Sequence, residues 1–194
     1  MNLYTLALFA HLLGVLGLFI NLGLQWTSVF RLRRARTVSQ VREWTSLLGG
    51  LGKLGPISAG LLLVAGMYMT ATAWGLSTSW ILVSLVTLLL LMALGMAVPF
   101  RRLKAIGRAV AEAEAPDGVI PSAMQRQIHD PLLWTSVQVM GSMALGVVWL
   151  MTTKPDLVGS LLVLAVALVL GVVSAQPWRH PRASTVAVQE AHLG

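Results

Sequence analysis

Residues 4–26 read YTLALFAHLLGVLGLFINLGLQW. The stretch is long enough to cross a bilayer whose hydrocarbon core is ~30 Å thick. No Asp, Glu, Lys or Arg interrupts it, yet it holds His11, Asn21 and Gln25. Taken with Gly14 and Leu18, these residues follow one another at steps of three and four, which on a helix makes a single stripe. Polar groups are costly against lipid, so this stripe is expected to meet other helices or a ligand.

The rest of the chain repeats the pattern. Five apolar spans can be drawn, at about 3–26, 56–74, 80–100, 132–152 and 157–175. The chain is 56% hydrophobic and only 11% charged, whereas a soluble domain carries ~25% charge. The reading is an all-α membrane protein: one five-helix transmembrane domain over 1–176, then a tail over 177–194 that is expected to be cytoplasmic and partly disordered. There is no cysteine, which removes disulfides, thiolate metal sites and thiol catalysis. The N-terminus lacks the basic region and the cleavage site of a secretory signal, so it is read as a true span.

The net charge is +7, but the basic residues sit at the ends of apolar runs. Membrane topology therefore explains them better than nucleic acid, which is not expected as a partner. Arg31, Arg33, Arg34, Arg36, Arg42 and Lys53 follow span one. Arg101, Arg102, Lys104, Arg108 and Arg126 follow span three, and Arg179 and Arg182 follow span five. Only Lys154 of the 14 falls on the other side. The positive-inside rule then puts the N-terminus outside and the C-terminus in the cytoplasm of a bacterial inner membrane. Trp74, Trp80 and Trp149 are expected at the outer boundary, and Trp26, Trp44, Trp134 and Trp178 at the inner one.

After span three, Leu103, Ile106 and Val110 recur at helical spacing among basic residues, which predicts an amphipathic helix on the inner leaflet. Pro116-Asp117-Gly118 should break it. Asp130-Pro131 reads as an N-cap and first helical position.

Spans three and five are apolar nearly all round and are expected to face lipid. Spans one, two and four are expected to form the core. Span two contributes Ser58, Gly60, Gly66, Tyr68 and Thr70. Span four repeats the stripe of span one with Thr135, Gln138, Ser142, Leu145 and Trp149, and Ser142 with Gly146 makes a small-xxx-small pair. Asn21, Gln25, Tyr68, Gln138 and Ser142 are thus the expected polar core. At ~1.5 Å per residue, His11 lies roughly 12 Å below the outer end. That depth matches Met67 and Tyr68 in span two, and Ser142, Met143 and Leu145 in span four.

His11 is the leading functional residue. An intramembrane imidazole can hold haem iron or copper, relay a proton, or hydrogen-bond a neighbouring helix. His129 lies on the cytoplasmic side, so the two cannot share one iron. His180 and His192 lie in the tail with no constellation around them. Met67, Met69, Met140, Met143 and Met151 could supply thioethers or simply fill the core, with Met67 and Met143 first by depth. Arg31, Arg33, Arg34 and Arg36 could bind anionic lipid headgroups or only fix topology. No P-loop, dinucleotide fingerprint, HExxH, catalytic triad or intramembrane carboxylate pair is present.

The opening LALFAHLLGVLGLF, the arginine run and GPISAGLLLVAGMYMTATAWG resemble a bacterial family of predicted integral-membrane proteins of unknown function. The first span with its lone histidine also looks like the first helix of the copper-resistance D proteins and of the membrane protoporphyrinogen oxidase. That resemblance implies that His11 matches a haem- or copper-associated histidine. The first functional reading is a haem b- or copper-binding membrane protein beside an electron-transfer or metal-handling partner, with Met67 and Met143 the companion candidates by depth. A cofactor-free helical subunit, alone or as a homo-oligomer, is the alternative. A small permease is disfavoured because no span is broken at its middle and no inverted repeat is visible.

Overall fold

The computed structural model describes residues 2–75, 77–113 and 118–176. Every regular element among them is helical. In chain order these are α1 (Leu3–Leu32), α2 (Val38–Gly50), α3 (Leu54–Met69), α4 (Ser79–Gly95), α5 (Arg101–Ala111), α6 (Ser122–Ile128), α7 (Pro131–Thr153) and α8 (Leu157–Ala175). Two π-helical turns join them, Thr70–Trp74 after α3 and Met96–Phe100 between α4 and α5. Five helical stretches are long and apolar enough to cross a membrane. Glu114, Pro116, Asp117 and the tail with Trp178, Arg179, His180, Arg182 and His192 lie outside the described residues.

Local chemistry sets the helix ends. Asn2 caps α1 by accepting from the Thr5 amide at 2.8 Å. Asp130 caps α7 from the Leu132 amide at 2.8 Å, with Pro131 at the first position, and Asp156 caps α8 from the Gly159 amide at 2.8 Å. Each satisfies an amide that has no intrahelical partner. Pro99 does not end its helix. It removes one amide, the ladder shifts to π spacing over Met96–Phe100, and the helix continues into α5.

The apolar face of α5 is not laid on a leaflet. Ile106 and Val110 are buried with Val29, Leu32, Val38, Val41, Met124, Ile128, Leu133, Trp134, Val137 and Ala175. This cluster draws together the lower end of α1, the connecting helices α2, α5 and α6, the start of α7 and the end of α8. The described segments that follow spans one and three therefore meet at one end of the molecule, beside the end of α8, and they carry the described basic residues other than Lys154. Trp134 is 1% exposed, so it belongs to this core and not to an aromatic belt. Its ring centroid lies 6.0 Å from that of Trp26.

The packing of the spans also departs from the expected core. α3 lies along α1, and α7 packs mainly on α8 and α4, touching α1 more lightly. Spans three and five are apolar, but they turn small residues inward: Ser84 and Thr87 on α4, and Ser160, Ala167 and Gly171 on α8 are buried. Small residues let backbones approach, which is what association in lipid requires.

Candidate functional site

The polar stripe of α1 lies against α3. The two helices run antiparallel, and large and small residues alternate across the seam. A Cβ added at Gly66 would stand 3.4 Å from the His11 imidazole, and one at Gly55 would stand 3.0 Å from the Asn21 amide nitrogen. Between these, the roles reverse. A Cβ at Gly14 would lie 2.9 Å from Leu62 Cγ and 3.0 Å from the Ser58 carbonyl oxygen, and one at Gly17 would collide with Ser58 Oγ. Each bulky or polar side chain on one helix thus sits over a small residue of the other.

His11 is half-buried in this seam. Its ring approaches the Leu62 carbonyl of α3, but Nδ1 is enclosed and has no partner at hydrogen-bonding geometry. One and two turns beyond Asn21, the enclosed Oε1 of Gln25 and Oγ of Ser28 are likewise unpartnered. A buried polar atom without a partner costs free energy, so each marks either an unfilled interaction or a functional constraint.

The other residues singled out in the sequence separate. Met67 and Tyr68 are near the level of His11, but they are 40% and 38% exposed. They follow Gly66 at ~100° steps around the helix and so leave the seam. Span four is offset from its expected level. Leu22 packs with Met140 and Ala144, flanked by Leu18 and Phe19, and Trp26 meets Trp134. Moving up eleven residues from Leu22 to His11 requires moving eleven beyond Met140, to Met151. Met143 and Ser142 are therefore level with Phe19 and Ile20. The offset arises because α1 runs on to Leu32 in the basic-end core, past the boundary drawn at Trp26, whereas α7 keeps the bounds drawn for span four to within one residue.

Gln138 and Ser142 belong to a second seam, between α7 and α8. Ser142 Oγ donates to the Gln138 carbonyl at 3.0 Å, and Gln138 Nε2 donates to Ser174 Oγ at 3.4 Å. Of the arginine run, Arg31 lies over Trp44 at 5.6 Å, Arg33 over Trp134 at 5.6 Å and Arg34 over Phe30 at 4.1 Å. Arg36 is exposed, and its backbone amide donates to Gln40 Oε1 at 2.8 Å. No group of three or more His, Cys, Asp or Glu side chains converges among the described residues.

No protein-family model, curated protein or solved structure matches the chain. Its own geometry therefore carries the functional reading.

Sequence reasoning missed Gly55, Leu62 and the connecting helices α2 and α6. Gly55 stands just before the hydropathy boundary at Pro56. For α2 a signal existed: Thr37 and Gln40 have the spacing of a capping box, and Thr37 Oγ1 accepts from the Gln40 amide at 3.4 Å.

Proposed function

We propose that the protein is a non-enzymatic, multi-pass helical subunit of a bacterial inner membrane, with its N-terminus outside and its C-terminus in the cytoplasm. One observation carries this reading: His11 and Asn21 are each seated over a glycine of α3. The stripe that promised a ligand site is occupied by helix packing. The outward faces of the spans are then left for lipid, another membrane protein or a second copy. Purified from cells supplied with haem and copper, the protein is expected to be colourless and free of metal. A cytoplasm-specific reporter is expected to be active after Arg36, after Arg108 and at the C-terminus, and silent at Thr78 and Lys154. Activity at Lys154 would remove the five-span topology.

A second reading has its own support in the unpartnered Nδ1 of His11 and in the resemblance of the first span to the copper-resistance D and protoporphyrinogen oxidase helices. Here His11 would be an axial ligand to haem b or copper, beside an electron-transfer or metal-handling partner. An imidazole nitrogen is a competent donor for either. Neither Met67, exposed to the side, nor Met143, at another level, completes a pair with it, so a second donor would have to come from elsewhere. A Soret band or bound copper that disappears in His11→Ala would establish this reading and overturn the first.

A further inference from the structure

One face of the helix that runs from α4 through the π turn into α5 changes character abruptly. Met96 and Phe100 are 66% and 60% exposed. Lys104 and Arg108 continue the same four-residue line and are exposed, with Arg101 and Ala105 beside them. The opposite face of α5 is buried through Ile106 and Val110. Lys104 Nζ lies 5.8 Å from the Phe100 ring centroid, its stem folded back over the last apolar ring.

Five other cations at this end are engaged within the protein. Arg102 pairs with Asp130, Arg42 donates to the Val110 carbonyl at 3.1 Å, and Arg31, Arg33 and Arg34 lie over aromatic rings. Arg101 and Arg108 have no acidic partner among the described residues, and Glu112, one turn beyond Arg108, forms no ion pair with it. Arg101 to Arg108 spans ~10 Å of helix. That distance covers the headgroup layer, ~5–8 Å on each side of the hydrocarbon core, and ends in water well within one Debye length of it, ~8 Å at physiological salt.

We propose that Arg101, Lys104 and Arg108 form a docking stripe for anionic phospholipid headgroups. The occupant follows from continuity and charge. A lipid whose acyl chains lie against Met96 and Phe100 has its phosphate at the level of Arg101 and Lys104, and a second anionic headgroup reaches Arg108. Arginine donates in a fork that suits phosphate, and lysine adds a point charge. A phosphate on a soluble acidic protein would meet the cations but would have no use for the exposed apolar residues directly below them.

The absence of cysteine allows a direct test. Full-length protein carrying Ala105→Cys keeps all three cations and places one fluorophore on the stripe. It is reconstituted into bilayer discs doped with phosphatidylglycerol or phosphatidylcholine, spin-labelled near the top of the acyl chain. Quenching by phosphatidylglycerol is expected at about fivefold lower label density or better, the preference of a single juxtamembrane cation being roughly fivefold. The gap should shrink as salt is raised. It should fall below about twofold when Arg101→Gln, Lys104→Gln and Arg108→Gln are combined, and should persist when Arg31→Gln, Arg33→Gln and Arg34→Gln are combined instead. Equal quenching by the two lipids with all cations in place would overturn the proposal even if the triple variant failed to fold. So would protection from both lipids, which would place a protein on the stripe, or loss of the gap only in the Arg31 set.

Discussion

The α1–α3 and α7–α8 seams solve the same problem with different polar outcomes. Both bring backbones close through glycine. A Cβ at Gly14 would lie 3.0 Å from backbone atoms of α3, and one at Gly171 would lie 2.8 Å from Val139 Cα and 3.3 Å from the Gln138 carbonyl oxygen. In the α7–α8 seam the polar groups satisfy one another: Ser142 bonds to Gln138, Gln138 to Ser174, and Ser174 Oγ to the Gly171 carbonyl at 3.0 Å. In the α1–α3 seam the His11 ring approaches the Leu62 carbonyl, but Nδ1 reaches no partner at full hydrogen-bonding geometry. The first pattern is that of a structural hairpin, closed by a three-residue turn at Lys154-Pro155-Asp156. The second retains an unsatisfied polar atom inside otherwise complementary packing, so any search for function should start there.

Crosslinking should separate the two seams most strongly. Cysteines introduced at His11 and Gly66 are expected to join across the α1–α3 seam, while a pair at His11 and Ser142 is not. Efficient bonding of His11 to Ser142 would return span four to the neighbourhood of the histidine and dissolve the two-seam description.

Next in size are the glycines. Gly14→Ala and Gly171→Ala each force a methyl group against a neighbouring backbone and are expected to cost ~1–3 kcal/mol. Unfolding in mixed micelles measures this. Gly60 and Gly141 face open space. Their alanine variants are expected to be neutral or to gain up to ~1 kcal/mol from helix propensity. If all four behaved alike, close approach would not be what holds the seams.

His11→Ala is expected to cost ~0.6–2 kcal/mol, the range for interhelical hydrogen bonds in membranes, and Gln138→Ala the lower part of that range. His11→Gln should recover part of the loss by offering a donor to the Leu62 carbonyl. A His11→Ala variant that keeps its stability but loses a bound chromophore would separate the two readings of that residue.

The smallest effect belongs to the hairpin turn. Lys154 is the only non-glycine residue with positive φ among the described residues, at 49°, and its Nζ lies 4.3 Å from the Trp74 ring centroid. Lys154→Gly relieves the left-handed backbone but loses the cation–π contact. The two terms are each of order 1 kcal/mol and oppose one another, so a net change within about 0.5 kcal/mol is expected. Trp74→Leu should then cost less in the Lys154→Gly background than alone.

The spans were readable because hydrophobic length needs no tertiary information, and the α1 stripe was readable because its polar residues share one face. Neighbours were readable only in part: span two was set beside span one at the right level, as Gly66 against His11 shows, but span four was not. Depth counted from hydropathy boundaries placed Ser142 and Met143 beside His11, but α1 continues past its boundary to bury Val29 and Leu32, and Leu133 and Trp134, counted into span four, are buried in the same core. Where a helix ends in a protein core, apolar residues no longer report the edge of the membrane. The same effect disguised α5: Ile106 and Val110 have the spacing of a surface-lying helix, and only the presence of α2 and α6 turns that face inward. Apolar composition alone likewise could not show that Gly171 and Ala167 give α8 a protein-facing side.

The basic-end core also constrains how the chain assembles. Its members run from Val29 to Ala175, so it cannot close until the last span has left the ribosome. The α7–α8 hairpin joins neighbours in sequence and can pair soon after synthesis. α1 and α3 can pair as soon as both are inserted, but the end of α1, with α2 and α5, must wait with Val29, Leu32, Val41 and Ile106 uncovered. A truncation before Leu157 would thus remove α8 and also leave the cluster, whose first member is Val29, incomplete. This makes the nascent chain most vulnerable to proteolysis at its N-terminal connecting helices.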